Sequence, residues 1–531
     1  MNNFCVALKG ISFLLKHMGQ LGFAFQLCFL LVLLSGFLST PGEYKRLYNS
    51  LDPTSISQHM AFYELYPDTE EGKRAFKDIC RLLTAGNEEI SSSAISSISL
   101  SDSLQQIVTV INKSPEGGYA ELSDASLEAI DKLAEKLANR RLKGYRAESE
   151  EFVIGLPPGQ IDLARGVLLS QLGDSPEAMK KIRSYEALLD LMTLQILTRI
   201  SLQDSPEAKI RAMNHFVFEE MGFRFPPHTS YAKEVDLYTF LPSVLDSRRG
   251  VCLGCSILYI SLAQRLNLNL EIVTPPGHIF VRWHKGDQTI NIETTARGVH
   301  LPDETYLGLD TRKLQKRNIK ETIGMAHFNQ ASVFLEHQDY DQAMKAYRKA
   351  EKYIKDDNLL LCFIASMAIL QKDEEYGKGL FEQIADDLPD HAVSKDTMAE
   401  DYLSGKIGPG GIAAMFLRVD ETRGSLLSKK DALEKVLEQS PQFREGIFTL
   451  AGIWLQLHRM GEALNMLEKY HRLDPANAAV EYYLAAIYME RLDYNAAWHH
   501  LEIAEHLLQM RSHSPKAVRE LRQELVKCCP E

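Results

Sequence analysis

The stretch "RRGVCLGCSILY", residues 248–259, decides the fold because it joins two closely spaced cysteines to an apolar helix. Apolar residues recur at helical spacing after it, which predicts a helix that begins near Cys252, just after Gly250. Gln264 and Arg265 are expected to point outward from this helix. The pattern Cys-Leu-Gly-Cys is compatible with a metal clip, a dithiol redox pair or a single thiol nucleophile.

Two of these alternatives lack supporting residues. Structural zinc usually takes four ligands in two pairs, whereas Cys252 and Cys255 are one pair, and the sequence has no second Cys-x-x-Cys and no His-x-x-x-His. A dithiol redox motif normally follows a buried strand, but "SVLDSRRG" precedes this one. The redox alternative stays open because an exported chain would meet oxidants.

The third alternative is a nucleophile at a helix start. A thiol in the first turn lies beside free backbone N–H groups and the positive end of the helix dipole, which favours the thiolate. Cys252 has this position. Cys255 lies about one turn further on and is expected to pack into the body of the domain.

A base for such a thiol follows in "PPGHIFVRWHKGDQTINIETT", residues 275–295. Apolar and polar residues alternate in two runs around a Lys-Gly-Asp turn, which predicts a β-hairpin. If Lys285-Gly286 is the loop, His278 and Glu293 lie directly opposite each other on a polar face. A carboxylate beside an imidazole fixes its tautomer and stabilises the imidazolium.

These residues together resemble the transglutaminase-like superfamily, which has a papain-like core. The resemblance is carried by "RRGVC" with its apolar helix, "PGHIFVRW" and "INIETT", over about residues 235–300. It implies that Cys252 is the nucleophile, His278 the base and Glu293 the orienting acid, although many members have Asp in the third place. It also implies acyl transfer or amide hydrolysis on a peptide or protein substrate, without cofactor or metal.

The alternative to an enzyme is a catalytically inactive scaffold for protein–protein interactions. The C-terminal region favours a role in binding because two 34-residue windows share a pattern of small and large residues. The shared positions are Ala451, Trp454, Ala463 and Leu467, then Ala485, Tyr488, Ala497 and Leu501, with Ala331, Ala343 and Tyr347, then Ala365, Gly377, Phe381 and Pro389 upstream. This pattern resembles tetratricopeptide repeats, about four in two blocks, which would hold a protein partner. Gly377 stands where Ala is usual and suggests a weaker unit.

The N-terminal region contains an uncharged apolar run, residues 21–38. Its length nearly covers a bilayer, so the sequence predicts a membrane anchor or a cleaved signal, with the bulk of the chain outside the cytoplasm. The formal net charge of −12, with no Lys/Arg block, disfavours nucleic-acid binding.

The predicted fold class is α+β, with a helical N-terminal region, a transglutaminase-like core and an all-α repeat solenoid. The expected segments are 1–41 (anchor or signal), 42–150 (helices with a Ser-rich linker), 151–320 (core) and 321–531 (repeats).

Overall fold

The computed structural model describes residues 41–83, 121–226, 237–419 and 422–529. The chain divides into two compact units, and residues 41–83 belong to the first. Its helices are α1 (Pro41–Asn49), α2 (Ile56–Leu65) and α3 (Glu70–Leu83). Tyr48, Phe62 and Ala75 form the core of this helical unit.

The predicted membrane segment, residues 21–38, and the Ser-rich stretch, residues 91–103, lie outside the described residues. Among the helices that the structure does describe, none is long and apolar enough to cross a bilayer. The prediction of an anchor or signal therefore stays a prediction.

The second unit begins with helices that lead into the core. They are α4 (Asp124–Leu133), α5 (Glu150–Gly155), α6 (Leu163–Leu172), α7 (Pro176–Ile196) and α8 (Pro206–Asn214). The sequence Ser-Pro-Glu begins two of these helices, α7 and α8. The side chains of Ser175 and Ser205 each accept a hydrogen bond from the backbone N–H three residues further along the chain, and a proline follows each serine. Of these helices, α6 and α7 pack against the element that carries the cysteines.

That element is α10 (Cys252–Arg265), which follows the short α9 (Leu241–Ser247). The expectation that Gln264 and Arg265 point outward is wrong. Arg265 is fully buried and donates to Asp190 at 2.8 Å, and Gln264 donates to the carbonyl of Ile161 at 2.9 Å. The reason is that α10 is enclosed by α6, α7 and the sheet, so it has no solvent face.

Buried ion pairs lie beneath α10. The carboxylate of Asp190 binds both Arg265 and Arg140, and Arg165 makes a bidentate pair with Glu186. Burial raises the pKa of Glu186 to about 7 against the opposing effect of Arg165. Removing one partner of such a pair leaves an uncompensated buried charge, so these contacts fix the position of α10.

The sheet has four antiparallel strands in the order β3-β2-β1-β4. They are β1 (Glu271–Thr274), β2 (Phe280–Lys285), β3 (Gln288–Ile292) and β4 (Gln315–Arg317). The predicted hairpin is present, but its predicted register is wrong by two residues, because His284 pairs with Thr289. The loop is Gly286-Asp287, and Gly286 has the positive φ of 59° that a two-residue hairpin loop requires.

The predicted polar face of the hairpin is also buried where β2 begins. Residues 280–283 of β2 are all buried. Tyr306 stacks on Phe280 with ring centroids 4.4 Å apart, and Arg282 donates to Asn291 at 2.8 Å. The segment that follows β3 covers this face, and the alternation of polar and apolar residues could not reveal that cover.

Paired antiparallel helices follow the sheet. The first block contains α11 (Ile319–Glu336), α12 (Tyr340–Glu351), α13 (Asn358–Leu370) and α14 (Glu374–Ile384). Three helices follow, namely α15 (Met398–Leu403), α16 (Pro409–Met415) and α17 (Arg423–Gln439). The second block contains α18 (Arg444–Gln456), α19 (Met460–Leu473), α20 (Ala478–Glu490) and α21 (Tyr494–Met510), and α22 (Lys516–Cys528) ends it.

The small residues of the 34-residue pattern lie where paired helices meet. The alanines that recur in the four units are at most 1% exposed: Ala331, Ala343, Ala365, Ala451, Ala463, Ala485 and Ala497. Gly377 is a requirement of close packing rather than a weakness, because a Cβ there would lie 2.8 Å from the carbonyl oxygen of Ala365. The predicted fold class is confirmed.

Buried charges join the connecting helix α15 to the second block of helix pairs. Asp401 on α15 is fully buried, and its carboxylate accepts from the backbone N–H of Arg444 at 2.9 Å and from its guanidinium at 2.6 Å. Lys406 adds a third contact at 3.1 Å. The 34-residue pattern is lost between the two blocks. The helix α15 in that region is nevertheless held to the second block by buried ion pairs.

Candidate active site

The two cysteines have different environments. Cys252 is the first residue of α10 and is partly exposed. Backbone N–H groups in the first turn of a helix have no partner within the helix. Cys255 is buried, its thiol donates to the carbonyl of Gly250 at 3.3 Å, and burial raises its pKa to about 12. Cys255 is therefore unsuited to act as a metal ligand or as a nucleophile at neutral pH.

His278 is placed by a tight turn between β1 and β2. Its backbone N–H donates to the carbonyl of Pro275 at 3.1 Å, and Gly277 has a φ of 70°. A positive φ at the third position of a Pro-Pro-Gly-His turn is the type II geometry, which favours glycine there. The turn fixes the imidazole just ahead of β2, at the edge of the sheet nearest the start of α10.

Glu293 follows directly after β3. Its backbone N–H donates to Val299 at 3.0 Å, and its carbonyl accepts from Gly298 at 2.8 Å. The residue caps a single 3-10 turn, Thr294–Ala296, and is only 4% exposed. The backbone of Glu293 is thus held on both sides, and its side chain is removed from water.

The structure brings His278 and Glu293 together, with Nε2 of His278 2.6 Å from Oε2 of Glu293. This contact exists although the predicted register is wrong by two residues. A shift of two keeps each side chain on the same face of a sheet, so the pair becomes diagonal instead of directly opposite.

The His278 imidazole lies between Cys252 and Glu293. Hydrogen bonds to Cys252 and then to Glu293 raise the pKa of His278 to about 10, although partial burial opposes the change. Burial acts to raise the pKa of Glu293, but the hydrogen bonds from His278 and Thr295 outweigh it, so the net change is downward. At neutral pH the site therefore holds an imidazolium beside the Glu293 carboxylate.

Sequence reasoning missed two residues that hold the carboxylate. The hydroxyl of Thr295 donates to Oε1 of Glu293 at 2.8 Å, and the hydroxyl of Tyr306 donates to Oε2 at 2.9 Å. The Tyr306 ring also stacks on the His278 ring, with centroids 5.9 Å apart. Thr295 stands within "INIETT" and could have been considered, whereas no spacing rule points to Tyr306.

The site opens into a cleft of about 780 Å³. Cys252 and His278 lie on one side of it. The other side comes from the helix pairs, with Phe328 on α11 and Leu359 on α13 among the lining residues. The repeat region is therefore one wall of the same cavity that contains the thiol.

Comparison with known families assigns part of the chain. Residues 183–326 match the family model described as the transglutaminase-like superfamily. The match starts within α7, contains Cys252, His278 and Glu293, and ends within α11. It therefore covers Cys252, His278 and Glu293 and only the beginning of α11.

Curated relatives are similar over a short segment. F-box only protein 21 of Homo sapiens is 29% identical over 82 residues, which is 15% of this chain and 13% of that protein. The Mus musculus protein of the same name is 28% identical over 82 residues, with the same shares. The chain thus spans about an eighth of the length of these relatives.

Solved structures of helical repeat proteins also align. They include MamA from Desulfovibrio magneticus RS-1 (14% identity, 35% of this chain, 96% of that chain, TM-score 0.18). A second is a thermophilic TPR protein of Thermus thermophilus (16% identity, 39% of this chain, 98% of that chain, TM-score 0.20). The repeat architecture rests on the helix pairs themselves. The chain therefore combines a transglutaminase-like domain at residues 183–326 with tetratricopeptide-type helix pairs.

Proposed function

We propose that the protein is a cysteine-dependent acyltransferase or amide hydrolase that acts on a polypeptide segment bound between the core and the repeats. The observation that carries this proposal is the contact series Cys252–His278–Glu293, which opens into a cleft that the repeat helices also line. A cation beside a thiol is the arrangement in which nucleophilic cysteines work.

The chemistry follows from the three positions. The Cys252 thiolate, whose proton His278 has taken, attacks an amide carbonyl carbon, the C–N bond breaks, and the His278 imidazolium gives that proton to the leaving amine. The resulting thioester is attacked by water or by an amine, which gives its proton to His278, and Cys252 leaves as the thiolate. Backbone N–H groups at the start of α10 would stabilise the oxyanion, and Glu293 would orient the imidazole.

The proposed substrate class follows from the second wall of the cleft. Leu359 on α13 is 56% exposed and lines the same cleft as Cys252. Stacked helical repeats present concave surfaces that suit extended polypeptide segments. We therefore assign the repeats to substrate binding at this site, and hydrolysis or crosslinking would depend on the acceptor that enters.

A thiol-directed acyl electrophile tests the reactive site at neutral pH. The full-length wild type should be labelled rapidly, Cys252→Ala should not be labelled at this site, and His278→Ala should be labelled slowly. Cys255→Ala is the matched control, because it removes the neighbouring buried thiol and should keep rapid labelling at Cys252. Labelling of Cys252 that is slow and indifferent to His278 would overturn the catalytic proposal.

A cleft variant tests the substrate class separately. Leu359→Trp narrows the cleft at an exposed position, so folding should be unaffected. It should reduce thioester formation from amide-containing peptides and leave labelling by a small electrophile unchanged. Equal loss of both reactions, or of neither, would argue against a polypeptide bound along the repeats.

A binding scaffold is the second candidate function. The exposed apolar side chain of Leu359 on the repeat wall favours it, because exposed apolar groups in a concave surface are typical of binding sites. In that case partner binding would be lost in Leu359→Trp and kept in Cys252→Ala. The two candidates are thus distinguished by the same pair of variants.

We further propose that residues 21–38 hold the protein at a membrane or direct it out of the cytoplasm. The support is the uncharged apolar run in the sequence, which Lys9 and Lys16 precede. Fractionation of the full-length protein and of a form that lacks residues 1–41 would test this. Equal recovery of both forms in the soluble fraction of the cytoplasm would contradict it.

A further inference from the structure

A second histidine–carboxylate cluster lies far along the chain from Cys252, in the last two helix pairs. Nδ1 of His471 is 2.5 Å from Oε1 of Glu481, and Nδ1 of His500 is 2.8 Å from Oε2 of the same carboxylate. His471 lies on α19, Glu481 on α20 and His500 on α21. Three successive helices therefore each place one of these side chains in the same cluster.

The carboxylate of this cluster needs a positive partner. Glu481 is fully buried, and an ionised carboxylate is costly to bury without compensation. Among the described residues, its ion-pair partners within 4.0 Å are the two histidines, with no Lys or Arg. The charge can be compensated by a proton on an imidazole or by a cation bound between the three groups.

The donor set suits a transition-metal ion. Two imidazole nitrogens and a carboxylate oxygen form a ligand set that Zn²⁺ and related divalent ions prefer. The three donor atoms lie within 4.8 Å of one another. Bonds of about 2.0–2.1 Å in a tetrahedral site separate the donors by roughly 3.4 Å. The two hydrogen-bonded distances would therefore open by less than about 1 Å on binding.

Neighbouring groups hold the rings in place. The His500 ring is parallel to Tyr488, with centroids 5.5 Å apart, and the Tyr488 hydroxyl donates to Glu468 at 2.6 Å. Outer contacts of this kind orient metal-ligating histidines. The His471 side chain is 30% exposed, which leaves a route for an ion and room for water as a fourth ligand.

We propose that His471, Glu481 and His500 bind one divalent transition-metal ion of the Zn²⁺ class, with a fourth position open to water. The ion would link three consecutive helices and stabilise the C-terminal helix pairs. This site is separate from the proposed chemistry at Cys252.

Cobalt titration tests the site, because tetrahedral Co²⁺ gives a strong visible absorption. The full-length chain, stripped with a chelator, would carry Cys252→Ala, Cys528→Ser and Cys529→Ser, so that the exposed and partly exposed thiols among the described residues do not bind the ion. One equivalent of Co²⁺ should bind, Zn²⁺ should displace it, and Zn²⁺ should raise the midpoint of thermal unfolding.

Single variants decide whether the three residues are the ligands. Glu481→Gln and His471→Ala should each weaken binding at least tenfold and abolish the thermal shift. His506→Ala is the matched control, since it removes an exposed histidine of the same helix as His500 and should leave binding unchanged. His471→Ala lies at the end of α19 and keeps the test valid if Glu481→Gln folds poorly.

Two results would overturn the proposal. One is the absence of saturable binding of Co²⁺ or Zn²⁺ at micromolar concentrations. The other is binding that persists in both Glu481→Gln and His471→Ala. Either would show that the cluster is a proton-sharing network rather than a metal site.

Discussion

Two buried glutamates, Glu293 and Glu481, accept hydrogen bonds from histidine in this molecule, and their remaining partners differ. Glu293 binds one imidazole together with the hydroxyls of Thr295 and Tyr306. Glu481 binds two imidazoles, His471 and His500, and among the described contacts its side chain has no hydroxyl donor. The same two residue types thus form two sites of different chemistry.

The difference teaches that the third group decides what a histidine–carboxylate pair does. At Glu293 two hydroxyl groups donate to the carboxylate oxygens beside the single imidazole, and that imidazole is held toward Cys252 and the cleft. At Glu481 a second imidazole takes that place, and the site has donors for a cation and no thiol. Each site can be altered by changing that third group.

Removal of the thiol should have the largest effect. Cys252→Ala leaves His278 and Glu293 in contact but without a nucleophile, as at Glu481. Covalent labelling at this site and any acyl transfer should be lost completely, because no other partly exposed thiol contacts His278 in the described residues. Mass spectrometry of the labelled peptide measures this. Residual acyl transfer in Cys252→Ala would place the chemistry elsewhere.

Neutralising Glu293 should have the next largest effect. In Glu293→Gln the pKa of His278 should fall from about 10 toward 6.5, and labelling of Cys252 at pH 7 should slow by about 10²-fold. NMR titration of the imidazole measures the pKa. Glu271→Gln is the control, because Glu271 makes a similar 2.7 Å contact with the exposed His284 and should leave His278 unchanged.

The same variant changes how stability depends on pH. A raised histidine pKa contributes stability that is fully present below about 6.5 and is lost as the pH rises through about 10. The lowered pKa of Glu293 contributes stability that is present above 4.5 and is lost as the pH falls. The stability advantage of wild type over Glu293→Gln should therefore shrink at both ends. A constant difference from pH 4 to pH 10 would contradict the assigned pKa values.

Neutralising Glu481 should give a moderate effect on stability. In the metal-free protein, Glu481→Gln leaves buried polar groups imperfectly paired, at a cost of about 1–3 kcal/mol. Hydrogen exchange of the α19–α21 backbone should become faster, while exchange in α10 stays unchanged. Glu293→Gln should give the reverse pattern. Parallel changes in both regions would show that the two sites are coupled rather than separate.

Removal of one hydroxyl donor should have the smallest effect. Tyr306→Phe keeps the ring that stacks on His278 and Phe280 and removes one hydrogen bond to Glu293. The expected cost is about 1 kcal/mol, or about fivefold in the labelling rate. Stopped-flow labelling can resolve that difference. A loss as large as that of Glu293→Gln would mean that Tyr306 contacts the reacting groups.

The parts that the sequence could predict depend on short-range patterns. The helix start at Cys252, the hairpin, the closeness of His278 and Glu293, and the paired helices with buried alanines all follow from local spacing. The predicted register of the β2–β3 hairpin was wrong because the choice between two glycine-containing loops depends on φ at Gly286. The outward placement of Arg265 failed because its partner, Asp190, is 75 residues away in the chain.

The cleft and the second histidine–carboxylate cluster could not be predicted either, because their residues also come from distant parts of the chain. Phe328 and Leu359 approach Cys252 only because α11 and α13 pack beside the sheet. His471, Glu481 and His500 are separated along the chain by ordinary repeat residues, and no motif spacing marks them. Such sites arise from the stacking of elements, which a pattern along one element does not contain.

The helix α11 has a consequence for how this protein can have evolved. One residue, Asn318, separates β4 from α11, and it caps that helix through a reciprocal bond with Glu321. Its partner helix, α12, is tied back to the core, since Lys349 donates to the carbonyl of Ser170 and the hydroxyl of Tyr353, just after α12, donates to Glu150 at 2.7 Å. Recombination could not exchange these repeats as a separate cassette without also losing a wall of the cleft.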